Sequence, residues 1–475
     1  MLPAVPDRAL AELGRTEGDA DTLALLVRDQ DTRRLLLLRA VLDAAEAADP
    51  AVCPTAAGTR LREDWALLTA ADRAAADGGP DSPARVWLRY PLTGPWARRC
   101  LTGLNPRTGP PTREQRRELR CDLAYLGAIS AVAAARTGIP FATELTARDG
   151  ILALPSLGVL RTAARADVPV HVTHERGHMT FRQADAPDVT VHLESGTGAW
   201  SGSLAWTSAY ALPGLAAGAE PMPLDDLDPY RVPPREPDQY ALSGPAGPDD
   251  AERKRWLQIW SGTAAELRTG GELRLAEALA IVRCVVPLDM PPGAGGRGSC
   301  SATRREAFGA LLSSPPATPV AFAATLVHEV QHTKLAALSE MVELHHADPE
   351  ARYFAPWRPD PRPYDGLLQG AYSHLALADF FQRRALAAGP ARAEAAWAQY
   401  ARYHAQVGAA LPALVGSPDL TTVGRRFVDE MAATHERMAA HPAPRGHTAR
   451  AQAYVKAVRA LWKQRQPPPP PAVNR

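Results

Sequence analysis

His328 and His332, with Glu329 between them, are the residues whose types and spacing most directly offer chemistry. They lie in a run from Ala321 to Leu335 that contains neither proline nor glycine. On a helix, positions i and i+4 project from one face, so the two imidazoles can share a single divalent ion. Glu329 stands roughly one hundred degrees round the helix, where a carboxylate can reach a metal-bound water or orient a ligand. The pattern H-E-x-x-H also arises by chance on amphipathic helices. Here it sits in an apolar helix directly after a strand-like run, Phe308 to Leu312, and that context favours a metal helix.

Two ligands do not complete a site, so a third donor must come from elsewhere. The pattern from Gly366 to Ala388 predicts a second helix, capped by Asp365 and ended by Gly389-Pro390. Leu367, Ala371, His374, Ala378 and Phe381 form one apolar stripe on it, in which His374 is the single polar member. A histidine on an apolar face is ordinarily a satisfied core residue. The incomplete pair upstream makes His374 the preferred third ligand, with Asp379, Asp365 and Asp360 behind it. Glu343 shares a face with His332 but lies about 16 Å further along the axis, too far to bind the same ion. His171, His174 and His178 read as solvated or packed residues of a strand and turn, the first two on opposite faces.

The elements that must position these groups belong to an α+β fold. It is mainly helical, with a β-rich middle section and a zincin-like C-terminal core carrying the HExxH helix. Residues 1–145 read as a helical N-terminal region. Within it a helix is expected over Asp21 to Ala47, and a long one follows the capping box Thr112-Arg113-Glu114-Gln115 and ends at Gly138. Residues 146–215 form the β-rich section, with strands expected at Val168 to Val172, Met179 to Arg182, Val189 to Leu193 and Ser203 to Tyr210. Residues 216–250, rich in Pro, Gly and Asp, read as a linker crossing the surface. Residues 251–465 are the metal-binding catalytic region, with helices at Asp250 to Leu267 and Glu272 to Val282 and a metal helix continuing to about His345. Residues 466–475 read as a Pro-rich disordered tail.

The whole-chain balance narrows the function classes. Among 475 residues, 53 basic and 52 acidic side chains leave a formal net charge of +1, with no electrostatic footprint for nucleic acid. Five scattered cysteines, with no C-x-x-C pair, suit a reduced, cytoplasmic compartment. Asp7 and Arg8 interrupt the start where a secretion signal needs an apolar stretch, and Leu23 to Leu42 carries too many charges to span a bilayer, so no membrane association is expected.

Several segments together resemble a known family. They are Gly298-Ser-Cys-Ser-Ala302, Phe308-Gly309-Ala310, Thr325 to Leu335, Tyr353-Phe-Ala-Pro-Trp-Arg358-Pro-Asp-Pro-Arg-Pro363 and Gly366-Leu-Leu-Gln-Gly-Ala-Tyr-Ser-His374. Leu224 to Arg231 and the leucine-rich segment Arg33 to Leu42 add to them. The chain in these parts is similar to the HEXXH-motif family of 2-oxoglutarate-dependent peptide β-hydroxylases. The resemblance implies an Fe(II) enzyme that uses 2-oxoglutarate to hydroxylate an unactivated β-carbon in a ribosomally made precursor peptide. The chain lacks the clustered cysteines of a fused radical-SAM module.

That chemistry needs three protein ligands on one face of the iron, leaving room for a bidentate 2-oxo acid and O₂. The distal carboxylate of 2-oxoglutarate calls for a cation, and Arg358 or Arg362, in the proline-stiffened loop between the two ligand helices, is expected to supply it, with Arg425 and Arg426 as alternatives. The strand near Phe308 to Leu312 offers an edge to which an extended peptide could add. The competing reading is a zinc-dependent HExxH metallopeptidase in which Glu329 is the general base. Against it, the downstream sequence lacks the short H-E-x-x-H-x-x-G-x-x-H spacing. A third reading, a peptide-binding scaffold with a structural metal, lacks a fourth ligand.

Overall fold

Thr318 starts the helix that carries His328 and His332: its hydroxyl accepts the Ala321 amide at 3.2 Å, and Pro319 occupies the first turn, where a missing N–H costs nothing. The structure is a computed structural model, and the residues it describes are 5–75, 82–106, 109–231, 246–290, 300–358 and 360–465. The helix spans Pro319–Met341 and stops short of His345. Beyond Val342 the backbone is claimed by another pairing: His346 donates to the Asp419 carbonyl, Thr421 donates to that of Leu344, and His345 bridges Leu420. Those partners lie more than seventy positions downstream, so local periodicity overruns the true end.

The helix that carries His374 spans Tyr364–Ala387. Its N-cap is Pro363, with no side-chain cap bond, so Asp365 is not the cap; it lies inside the first turn, where its charge complements the helix dipole. The expected stripe is buried throughout, from Leu367 to Phe381. Helices Pro390–Ala410, Thr422–Met438 and Arg445–Arg465 follow. Together with Asp7–Gly14 and Leu273–Ile281 they belong to one compact unit, made of Met1–Val27, Gly262–Ile281 and Thr318–Arg475.

A buried ionic clasp holds this unit's helices to its first residues. Lys334, two positions after His332, donates to Glu277 at 2.5 Å and to the carbonyls of Thr16 and Glu17 at 3.3 and 3.0 Å. Arg274 reaches Glu277, Asp379 and the Thr16 carbonyl at 2.8, 2.9 and 2.6 Å. The Tyr372 hydroxyl donates to the Leu13 carbonyl at 2.6 Å. Thr16 turns these carbonyls inward with φ of 61°, a left-handed conformation that is sparsely populated for threonine.

The second unit comprises Arg28–Ser261 and Val282–Ala317. The units therefore do not follow the linear order of the sequence regions. The capping box at Thr112 and Gln115 is formed in both directions, at 3.2 and 2.8 Å, and starts the helix Arg113–Arg136. The β-rich section forms an antiparallel sheet in the order Phe141–Ala147, Val168–Glu175, His178–Arg182, Val189–Leu193, Ala199–Trp200. Its alternation is clean: Val170, Val172 and His174 are buried while His171 is exposed, which places the two histidines on opposite faces. The strand expected over Ser203 to Tyr210 divides into Trp206–Ser208 and Tyr210–Leu212, which join different sheets.

Two expectations are corrected here. The strand near Phe308 to Leu312 is Ala310–Ser313, and it is not an edge: Cys284–Pro287 pairs with it in parallel on one side and Ser301–Ala302 antiparallel on the other. Of the 216–250 linker, residues 232–245 lie outside the described residues, and the part before them does not simply cross the surface. Met222–Leu224 is a strand, and Asp226, Asp228 and Tyr230 are buried. The polar turn survives indoors because its partners are there: the Tyr90 hydroxyl donates to Asp225 at 2.5 Å, that of Tyr125 to Asp228 at 2.8 Å, and that of Tyr230 to Asp122 at 3.0 Å. Burial, reinforced by the neighbouring Asp225, pushes the Asp228 carboxyl up to about 7.

The Pro-rich tail, 466–475, lies outside the described residues. Among those described, no helix is long and apolar enough to cross a membrane, and all five cysteines are free.

Candidate metal centre

His328 and His332 converge as the helical spacing requires, with Nε2 to Nε2 at 3.1 Å. Two imidazole nitrogens this close could hold one divalent ion between them. The tautomer of His332 is fixed from behind: its Nδ1–H donates to Gln369 Oε1 at 3.1 Å, which makes Nε2 the lone-pair nitrogen that faces His328 Nε2. This is the support that metal-binding histidines ordinarily have.

His374 joins the same neighbourhood from the second helix, its ring centroid 5.5 Å from that of His328. Trp357 stands edge-on to it at 4.6 Å, and Tyr403, from the helix Pro390–Ala410, lies 5.2 Å away on centroids. Gly370 makes room for the indole, since a Cβ there would run into the Trp357 ring. The buried Nδ1 atoms of His328 and His374 have no hydrogen-bond partner, an arrangement costly to leave as it is. Burial, followed by the neighbouring His332, draws His328 down to about 4, against the pull of Glu329. Burial and then the imidazoles of His328 and His332 hold His374 well below the usual imidazole range. Neutral imidazoles are the form that binds a metal. The donor set therefore fits a divalent ion at the His328–His332 pair. Among the described residues, however, no group of three His, Cys, Asp or Glu side chains is gathered closely enough to hold one, so His374 stands beside the pair and does not close a trio with it.

The other candidate ligands are engaged elsewhere. Asp379 is held by Arg274 at 2.9 Å and Arg383 at 2.8 Å. Asp365 lies 3.7 Å from His345. Asp360 is shared between Arg358 at 3.1 Å and Arg362 at 3.6 Å, so both arginines expected to hold the cosubstrate already have a carboxylate between them. Arg425 and Arg426 are exposed, and Arg426 pairs with Asp7 at 2.9 Å. Glu329 is buried, and its charge favours the protonated form of His328.

Gln369, Trp357 and Tyr403 were not singled out by spacing. Gln369 had a usable signal, since it falls within the Gly366 to His374 segment; Tyr403 had none, because only packing brings its helix to His374.

No family model matches this chain, and no curated protein is significantly similar to it, so the resemblance to the peptide β-hydroxylases rests on the quoted motifs alone.

Proposed function

We propose that this protein is an Fe(II)- and 2-oxoglutarate-dependent oxygenase that hydroxylates a β-carbon of a ribosomally synthesised precursor peptide. The observation that carries a metal role is the 3.1 Å convergence of His328 and His332 with Gln369 fixing the tautomer of His332. The motif resemblance supports iron and 2-oxoglutarate in preference to zinc, and the zincin-like description of the core rests on the paired histidines of one helix.

In this reading His328 and His332 hold the ion and His374 is the third ligand, drawn in when the ion binds. Iron with 2-oxoglutarate and O₂ supplies the oxidising power to replace a C–H bond by C–OH. The chain's own residues place and protect. Gln369 orients His332, Trp357 and Tyr403 pack His374 against water, and the buried Glu329 bears electrostatically on His328.

Purified protein incubated anaerobically with Fe(II), 2-oxoglutarate and a candidate precursor peptide tests this directly. A metal-to-ligand charge-transfer band, followed on exposure to air by succinate and a peptide heavier by one oxygen atom, is the expected result. Zinc-dependent peptide cleavage without the band would instead establish the peptidase.

A further inference from the structure

The near-neutral balance of the whole chain conceals one segregated stretch. Between Arg437 and Arg475 the sequence holds no Asp or Glu, and the helix Arg445–Arg465 carries Arg445, Arg450, Lys456, Arg459, Lys463 and Arg465, all exposed. Among the described residues no acidic side chain pairs with any of them. Lys456, Arg459 and Lys463, three and four positions apart, line one side of that helix.

Lys456 also lines a groove of about 550 Å³, walled by this helix and by Pro390–Ala410 and Thr422–Met438. Two other lining side chains, His404 and His435, stack with ring centroids 3.9 Å apart. Each donates its Nε2–H to the other's carbonyl, at 3.3 and 3.0 Å, and Gly408 leaves room for the rings, since a Cβ there would come within 3.2 Å of His435. Burial draws both imidazoles down, His404 to about 4, so the pair is uncharged near neutrality. Ala401, Ala405, Ala443 and Val455 make the rest of the lining mainly apolar. Such walls accept an apolar side chain, and the cations beside them attract carboxylates; a short segment of acidic polypeptide offers both together.

We propose that this groove docks an acidic segment of the precursor peptide, an apolar side chain entering between the helices and its neighbouring carboxylates lying on Lys456 and Lys463. The choice of the precursor as occupant rests on the oxygenase reading; the acidic, apolar-anchored chemistry of the occupant does not.

The test follows the fluorescence anisotropy of a fluorescein-labelled synthetic peptide of Glu-Glu-Leu-Leu repeats titrated with the full-length protein. Binding that weakens with added salt is expected. Lys456→Glu combined with Lys463→Glu should raise the apparent Kd about tenfold or more, and so should serine in place of leucine in the peptide. Because both lysines are exposed, the melting temperature should stay as in the wild type. A candidate precursor peptide should displace the probe. Absent binding, an unchanged Kd in the double variant, or equal binding of the serine peptide overturns the groove assignment. Tighter binding of oligothymidylate or of phosphatidylglycerol vesicles overturns it in favour of a phosphate-bearing partner. A precursor that leaves the probe bound is overturned as the occupant, while the charge-transfer band still decides the oxygenase reading. Loss of that band with probe binding intact overturns the oxygenase reading, and with it the precursor, but supports the groove as a dock for acidic peptide.

Discussion

Lys334 and Glu277 meet at 2.5 Å with both side chains buried, and this pair fixes the helix of His328 and His332 two positions past the second histidine. Burial alone would raise the Glu277 carboxyl; Lys334 and then Arg274 outweigh it and hold it below its ordinary value of 4.5. A carboxylate whose folded pKa is lowered contributes stability that is present above 4.5 and lost as pH falls through the lower folded value. Glu277→Gln leaves Lys334 as an uncompensated buried cation and should cost about 3–5 kcal/mol in denaturant unfolding near neutrality. The gap from the wild type should close on acidification; a gap that is independent of pH would assign the loss to packing.

Gln369→Leu removes the acceptor that fixes His332 while keeping the helix. Affinity for the metal should fall about 10- to 100-fold, read by competition with a chromophoric chelator. Retained affinity would mean that His332 does not bind through Nε2.

His374→Ala separates the third-ligand candidates. Iron binding should be lost, whereas Asp379→Asn should keep iron and lower stability, since its carboxylate serves Arg274 and Arg383. The reverse pattern would transfer the ligand role to Asp379.

Asp228 should leave a signature of the opposite sign between about pH 4 and 7. Its folded value near 7 lies above the ordinary 3.8, so the folded state holds the proton more tightly, and stability declines as pH rises from about 4 to 7. In Asp228→Asn that decline should flatten, whatever the absolute stability; a preserved slope would assign it to another group.

The parts of the fold legible in the sequence are those set by local periodicity. The helix Arg113–Arg136 with its capping box, the strand Val189–Leu193 and the shared face of His328 and His332 all follow from neighbours a few residues apart. What was missed depends on distant partners. The acidic turn at Asp225 to Asp228 reads as surface until Tyr90 and Tyr125 supply its hydrogen bonds. Arg358 and Arg362 read as free cations until Asp360, two residues from each, is seen between them. The helix Pro319–Met341 reads longer in the sequence than it is because residues 419–421 capture the backbone that would have continued it.

The clasp at Thr16 also constrains how the protein can be made and trimmed. Lys334 reaches a carbonyl 318 positions earlier in the chain, so a long stretch of polypeptide must be made before this ammonium finds its acceptor. Until then Thr16 and Glu17 wait without their dock. Removing the first seventeen residues would strip acceptors from two buried cations at once, and damage far from the histidines would be felt as a centre that no longer holds its shape.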